Sequence, residues 1–364
     1  MGESRYLYYL VFLNMFVNII FFIPNILISH RFEGALMAIF VSIPLSIGLM
    51  YLFLKYLARF PKQGLPEILE QCLFNGAHTL IKAMFGVLWF GTGLILLLAF
   101  IKINKDFINP DISRILILSL FLVLVCLASR LESTTLLFGL EILMLVNVPI
   151  ILFVLIKSIL NPHFSWDAIA EIGTHLLHVP SFDSLGAATF IFSGYTNMII
   201  FHRVFGERLK GYHFGVFIIF GLLTLLTSFL IPIGFHGTYA ANRYVNPWVV
   251  TADSMRIEFF IIERLVFPFI MLYFTIALIS TIIHWHIAIE FFKKIPPTKW
   301  KQKGRIPISW YILFLFVAIT FLSNYFLDEE KLISLSNIWL QIRLIGEFFL
   351  VTVLIYATRR SKKI

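Results

Sequence analysis

The stretch LGAATFIFSGYTNMIIF, Leu185 to Phe201, is apolar at both ends and carries Ser193-Gly194-Tyr195-Thr196-Asn197 in its middle. Glycine is a poor helix former, and Ser, Thr and Asn side chains compete for backbone hydrogen bonds, so a membrane helix is expected to unwind at this run. Within a bilayer, freed N–H and C=O groups persist only where protein or a water-filled cavity satisfies them. A break at midplane depth therefore points to a binding site, and a matching break in the other half of the chain points to a transporter-like fold. The partner is expected in the first apolar segment, Tyr6 to Ser29, which Asn14 and Asn18 interrupt and Pro24 follows. The competing reading keeps the helices whole and uses Ser, Thr and Gly only for close packing.

Composition places the chain in the membrane. Of 364 residues, 59% are hydrophobic and 13% charged, with a mean hydropathy of +0.90; soluble domains carry a charged fraction of roughly a quarter. Apolar segments long enough to cross a bilayer, about 20 residues each, are expected at 6–29, 34–57, 78–101, 112–129, 135–159, 185–202, 213–235, 262–290, 307–327 and 337–358. The expected class is thus an all-α integral membrane protein of ten spans in a single polytopic domain. With the N-terminus cytoplasmic, Lys and Arg fall about two to one on the cytoplasmic side, as the positive-inside rule requires, and the C-terminus is cytoplasmic too. The net charge of +9 sits in short loops and in the tail Arg359 to Lys363, so it is not a nucleic-acid signature. Two cysteines, Cys72 and Cys126, give no disulfide framework. The first apolar segment is longer than a signal-peptide core and is expected to be retained.

Span two carries Gly34, Ala38, Ser42 and Ser46 at four-residue steps, a stripe for close helix packing. Beyond it, apolar residues at 65, 68, 69, 72 and 73, with Pro66 near the start, predict a short amphipathic helix on the cytoplasmic face. Glu171, His175 and His178 have the spacing of ligands on one helix face, but no Cys accompanies them, and His284 and His286 fall on different faces. No metal is expected. Intramembrane ionisable residues are costly and tend to be functional or paired. Glu263 and Arg264 are placed at the interface, where snorkelling makes them cheap. Glu141, Arg343 and Glu347 lie deeper, and the i, i+4 spacing of the last two suits a self-satisfying structural pair. There is no HExxH, GxSxG, phosphate-binding glycine loop or Cys/His cluster. Neither an enzyme nor a cofactor is expected.

Certain residues carry a family likeness. They are Ile19 to Pro24 in span one, Arg59-Phe60-Pro61-Lys62-Gln63-Gly64-Leu65-Pro66-Glu67-Ile68 after span two, Phe192-Ser193-Gly194, Asn246-Pro247, and Phe259 to Arg264. The segment around Phe60-Pro61 and Leu65 to Ile68 is the most specific. Through these residues, and nearly end to end, the chain resembles the endospore germinant receptor B-subunits, of the amino acid/polyamine/organocation permease superfamily. The resemblance implies a leucine-transporter-like fold of two inverted five-helix repeats, 1–160 and 185–364, with spans one and six broken around a central pocket. It further implies action with a receptor A-subunit and a lipoprotein C-subunit in the spore inner membrane, sensing small nutrients such as amino acids. The chain departs from the family at Asn18, where a glycine is usual, at Tyr195-Thr196-Asn197, where an acid often follows the glycine, and at Val266. Ligand identity stays open.

On this reading the ligand site comprises Asn14, Asn18, Ser193, Gly194, Tyr195, Thr196 and Asn197. N–H groups around Tyr195 to Asn197 would receive a carboxylate. Carbonyls near Ile191 to Ser193 would receive an ammonium, and the amides of Asn14 and Asn18 would close the pocket. The expected function is a spore germination receptor subunit that binds a small nutrient and signals to its partners. One rival is a secondary active amino acid transporter, against which stands the sequence distance of Glu141 and Glu347 from the breaks. The other is a structural membrane subunit with a vestigial pocket.

Overall fold

Apolar runs in hydrocarbon must pair their backbone groups internally, and the helix is the structure that does so within one segment. The computed structural model describes residues 5–20, 22–107, 111–205, 211–256, 264–296 and 307–361. Among these, the only β pairing is an isolated bridge between Arg256 and Arg264. The helices run α1 Arg5–Ile20, α2 Phe22–Ser29, α3 Ala35–Leu57, α4 Leu65–Cys72, α5 Asn75–Phe107, α6 Arg114–Ala128, α7 Ser133–Ile159 and α8 Trp166–Gly173. After α9 Phe182–Phe190 come a 3₁₀ segment Ser193–Asn197 and α10 Met198–Phe201. The chain continues through α11 Gly211–His236, α12 Pro247–Asp253, α13 Val266–Phe292, α14 Ile308–Phe326 and α15 Glu329–Ser361.

Seven of these helices are long and apolar enough to cross a membrane, and two bent pairs raise the count among described residues to as many as nine. The fourth expected span, 112–129, is shorter than the others: α6 has 15 residues and rises about 22 Å, against roughly 30 Å of hydrocarbon. Leu116, Leu120 and Leu124 on α6, Phe138, Ile142 and Leu145 on α7, and Phe314 and Leu322 on α14 are all exposed. Such continuous apolar outer faces suit lipid as the surrounding solvent.

The first bend does not fall where Asn14 and Asn18 suggested. Helix α1 runs through both, because Asn18 Nδ2 donates to Asn14 O four residues back at 2.6 Å, within the helical register. The axis turns by 57° between Arg5–Ile19 and Phe22–Ser29. Pro24 supplies the cause, since it lacks an N–H and its ring excludes the carbonyl four residues earlier, at position 20.

The long helices α5 and α13 pack along each other, while α9 lies against α2, α3 and α15. The small-residue stripe works as its spacing suggested: Ala38, Ser42 and Ser46 are buried on α3, which packs on α9 and α15. At Gly34 the backbone is left-handed, φ 83°, and a Cβ would lie 2.5 Å from Val179 O, so both conformation and space call for glycine. The amphipathic helix after span two is α4, with Leu65, Ile68, Leu69 and Cys72 buried. Its N-terminus is closed by Gly64 N donating to Glu67 Oε2 at 3.0 Å. Phe259 to Glu263, Arg208, Lys210, Lys299 and Arg305 lie outside the described residues.

Candidate functional site

Helix α9 begins on a cap, with Ser184 N donating to Ser181 Oγ at 3.1 Å, and ends at Phe190. The axis then turns by 62° into the segment Ser193–Phe201. Expected to unwind, the polar run instead tightens into a 3₁₀ turn. Its own side chains make this possible: Ser193 Oγ donates to Phe190 O at 2.8 Å and Thr196 Oγ1 to Ser193 O at 2.7 Å. Carbonyls freed by the bend are thereby satisfied locally.

Asn14 completes that satisfaction from α1. Its Nδ2 donates to Phe190 O and reaches Ser193 Oγ at 3.2 Å and Ile191 O at 3.4 Å. Of the carbonyls expected to receive a ligand ammonium, Ile191 O therefore has a donor in Asn14 and Ser193 O one in Thr196. The helix can come this close because residue 194 is glycine, where a Cβ would sit 2.3 Å from Leu10 O and 2.7 Å from Val11 Cα. Gly194 thus faces the α1 backbone. Tyr195 is fully buried against Phe53 of α3, ring centroids 5.2 Å apart, and its hydroxyl has no hydrogen-bond partner among the described residues.

Asn14, Ser193, Thr196 and Asn197 line one cavity. Asn18 lines a neighbouring one with Phe22 and Trp339. The shared cavity has a volume of about 30 Å³, space for two or three waters at roughly 10–15 Å³ each. In this conformation it is too small for an amino acid, so any such ligand has to widen it.

Other elements complete the wall. Helix α5 contributes Phe85, Leu88, Trp89 and Thr92, at the i, i+3, i+4, i+7 spacing of one face. That face was visible in the sequence as periodicity, but nothing there indicated what it meets. Trp89 Nε1 donates to Asn197 Oδ1 at 2.8 Å, which fixes the amide at the end of the 3₁₀ turn. From α13 comes His284, whose Nδ1 lies 2.7 Å from Ser280 O.

Helix α15 brings Arg343 and Glu347 into the cavity. This is the largest difference from the sequence reading, which had treated the two as structural and remote from the breaks. α15 reaches the site because it is bound to α9 along its length: Asn337 Nδ2 donates to Asp183 Oδ2 at 2.9 Å and Gln341 Nε2 to Asp183 Oδ1 at 2.5 Å. Arg343 Nη2 donates to Gly186 O at 2.8 Å and to Thr189 Oγ1 at 3.0 Å. The signal in the sequence was the presence of ionisable residues in an apolar span.

The remaining ionisable candidates lie elsewhere. Glu141 pairs with Arg5 at 3.1 Å and is partly exposed. Helix α8 ends at Gly173, so Glu171, His175 and His178 do not share a helix face, and His178 Nδ1 contacts Phe32 O at 2.7 Å. His286 is held by Ser129 O at 3.0 Å and Ser133 Oγ at 2.9 Å. No group of three His, Cys, Asp or Glu among the described residues is placed to hold a metal ion.

No family model matches the chain, and no curated protein matches it significantly.

Proposed function

We propose that this chain is a receptor subunit that binds a small zwitterionic nutrient in the cavity at the bend of α9 and passes the resulting change of shape to partner proteins. The observation that carries this reading is the cavity built where a span bends by 62°, whose largely apolar wall brings together the polar groups of Asn14, Ser193, Thr196 and Asn197. Buried clefts between helices with a few convergent polar groups are the usual form of a small-molecule site. The likeness of Arg59 to Ile68 and Phe192 to Gly194 to germinant receptor B-subunits supports a nutrient sensor of the spore inner membrane, working with an A-subunit and a lipoprotein C-subunit. The same likeness supports ten spans in a leucine-transporter-like arrangement, with α6 as the fourth and both termini cytoplasmic. The test is equilibrium binding of the twenty common L-amino acids to the full chain in lipid nanodiscs, followed by the germination response of spores carrying cavity variants. Binding with no change in the germination response would leave a binding protein that is not a germinant receptor.

One observation favours a second reading, a proton-coupled amino acid transporter. Coupling needs a buried acid near the substrate that can change charge, and Glu347 is such an acid in the cavity wall. Uptake of an amino acid into liposomes driven by a proton gradient would establish transport, and its absence alongside binding would favour the receptor.

A further inference from the structure

The cavity holds two opposite charges that are incompletely partnered. Arg343 and Glu347 are 8% and 5% exposed. Arg343 Nη1 pairs with Glu347 Oε1 at 2.9 Å, and no other group among the described residues hydrogen-bonds to Nη1, Nε or Oε1. The guanidinium is nevertheless held in place by Nη2 on Gly186 O and Thr189 Oγ1, and it stands 4.9 Å from the Phe190 ring centroid. A buried ion pair repays its desolvation only when its remaining lone pairs and protons are satisfied. This one is fixed in position in the cavity wall.

We propose that Arg343 and Glu347 are the charged anchors of the ligand, Arg343 Nε and Nη1 receiving a carboxylate and Glu347 Oε1 receiving an ammonium. The chemical class is a small α-amino acid, whose two charges lie about as close together as those of the pair it enters between. This rests on the cavity being the ligand site. It replaces the backbone anchors suggested by the sequence: the Ile191 carbonyl accepts from Asn14 and the Ser193 carbonyl from Thr196, and the 3₁₀ segment is only five residues long. Because the cavity in this conformation is too small for an amino acid, the ligand has to part Arg343 from Glu347, which on one helix is a change of their side-chain rotamers. A ligand with higher affinity for the parted state than the closed one shifts the population toward it.

The test compares L-alanine with L-alaninamide, which lacks the carboxylate, and propionate, which lacks the ammonium, by equilibrium binding to the full chain in nanodiscs; where L-alanine does not bind, the best-binding L-amino acid and its amide and deaminated analogues are used. The wild-type protein is expected to bind the zwitterion about tenfold to a hundredfold more tightly than either analogue. In Arg343→Gln the preference over the amide should collapse, and in Glu347→Gln the preference over the deaminated acid. Should either variant fail to fold, the analogue series on wild type still decides, since equal affinity for all three compounds overturns the assignment. Gly346→Leu separates this from failure of the site itself, because Gly346 lines the same cavity and a larger side chain there fills it whatever groups anchor the ligand. If Gly346→Leu abolishes binding while Arg343→Gln and Glu347→Gln leave both preferences intact, the cavity is the site and the anchors lie elsewhere. If Gly346→Leu leaves binding unchanged, or no amino acid binds, the cavity is not an amino acid site and the anchors fail with it.

Discussion

Arg203, just beyond the end of α10, holds Glu67 of α4 through one edge of its guanidinium, Nε to Oε2 at 3.1 Å and Nη2 to Oε1 at 2.9 Å. Its third nitrogen, Nη1, lies 2.6 Å from Glu290 Oε2 near the end of α13. Lys294 approaches Glu67 at 3.2 Å and Lys293 approaches Glu290 at 2.8 Å. One planar fork thus ties the end of the bent span to two other elements while gripping Glu67 bidentately, a geometry that an ammonium does not match. Arg203→Lys is expected to lose most of what Arg203→Ala loses, about 1.5–3 kcal/mol. Thermal unfolding in detergent checks this, and a lysine variant that melts with the wild type would show that charge alone suffices.

Gly194 is a packing position, and its substitution should be felt in stability. The atoms a Cβ would meet, Leu10 O and Val11 Cα, are backbone and cannot move aside by changing rotamer. Gly194→Ala should therefore cost about 1–3 kcal/mol as an overpacked contact, and Gly194→Val more. Lowered yield and melting temperature for both are the expected outcome. A Gly194→Val protein of normal stability that has lost only ligand binding would place the glycine against ligand instead.

Asn14 and Asn18 should behave differently although they lie four residues apart. Asn14→Ala removes the side-chain donor from Ile191 O and one of two from Phe190 O, whose other is Ser193 Oγ, at about 1–3 kcal/mol. Asn18→Ala removes one bond within α1, typically about 0.5–1.5 kcal/mol. Unfolding of the two variants side by side gives the order, and an Asn18 variant weaker than the Asn14 variant would contradict it.

Lys82 of α5 is fully buried and meets Glu70 of α4 at 2.6 Å. Burial by itself would raise the Glu70 carboxyl, but the Lys82 ammonium outweighs it through hydrogen bond and charge and holds the group below its ordinary value. A carboxyl lowered in the folded state stabilises above its unfolded value and ceases to as pH falls through the folded one. The contribution is thus complete at neutral pH and disappears only below the ordinary carboxylate range. Glu70→Gln should therefore lower the melting temperature at pH 7, leaving Lys82 without its counter-charge, and differ less from wild type as the pH drops toward 3. A difference independent of pH would assign the loss to packing.

Membrane character, helical class and the position of the second bend were readable from the chain alone. Hydrophobic length, glycine content and side-chain competition for the backbone are local properties, and they act on the same few residues that display them. Proline's effect is local as well, and the bend follows Pro24 rather than the asparagines, whose amides find partners without breaking the helix. What the tertiary structure decided was which faces meet. Only the packing of α1 on the 3₁₀ segment turned Gly194 into a contact and gave Asn14 the carbonyls of Phe190 and Ile191. Only the clamp between α15 and Asp183 carried Arg343 and Glu347, some 150 positions from the bend in sequence, into its cavity. An i, i+4 spacing shows that two charges share a helix face, but the neighbour of that face depends on how the helices fit together, through contacts far apart in the chain.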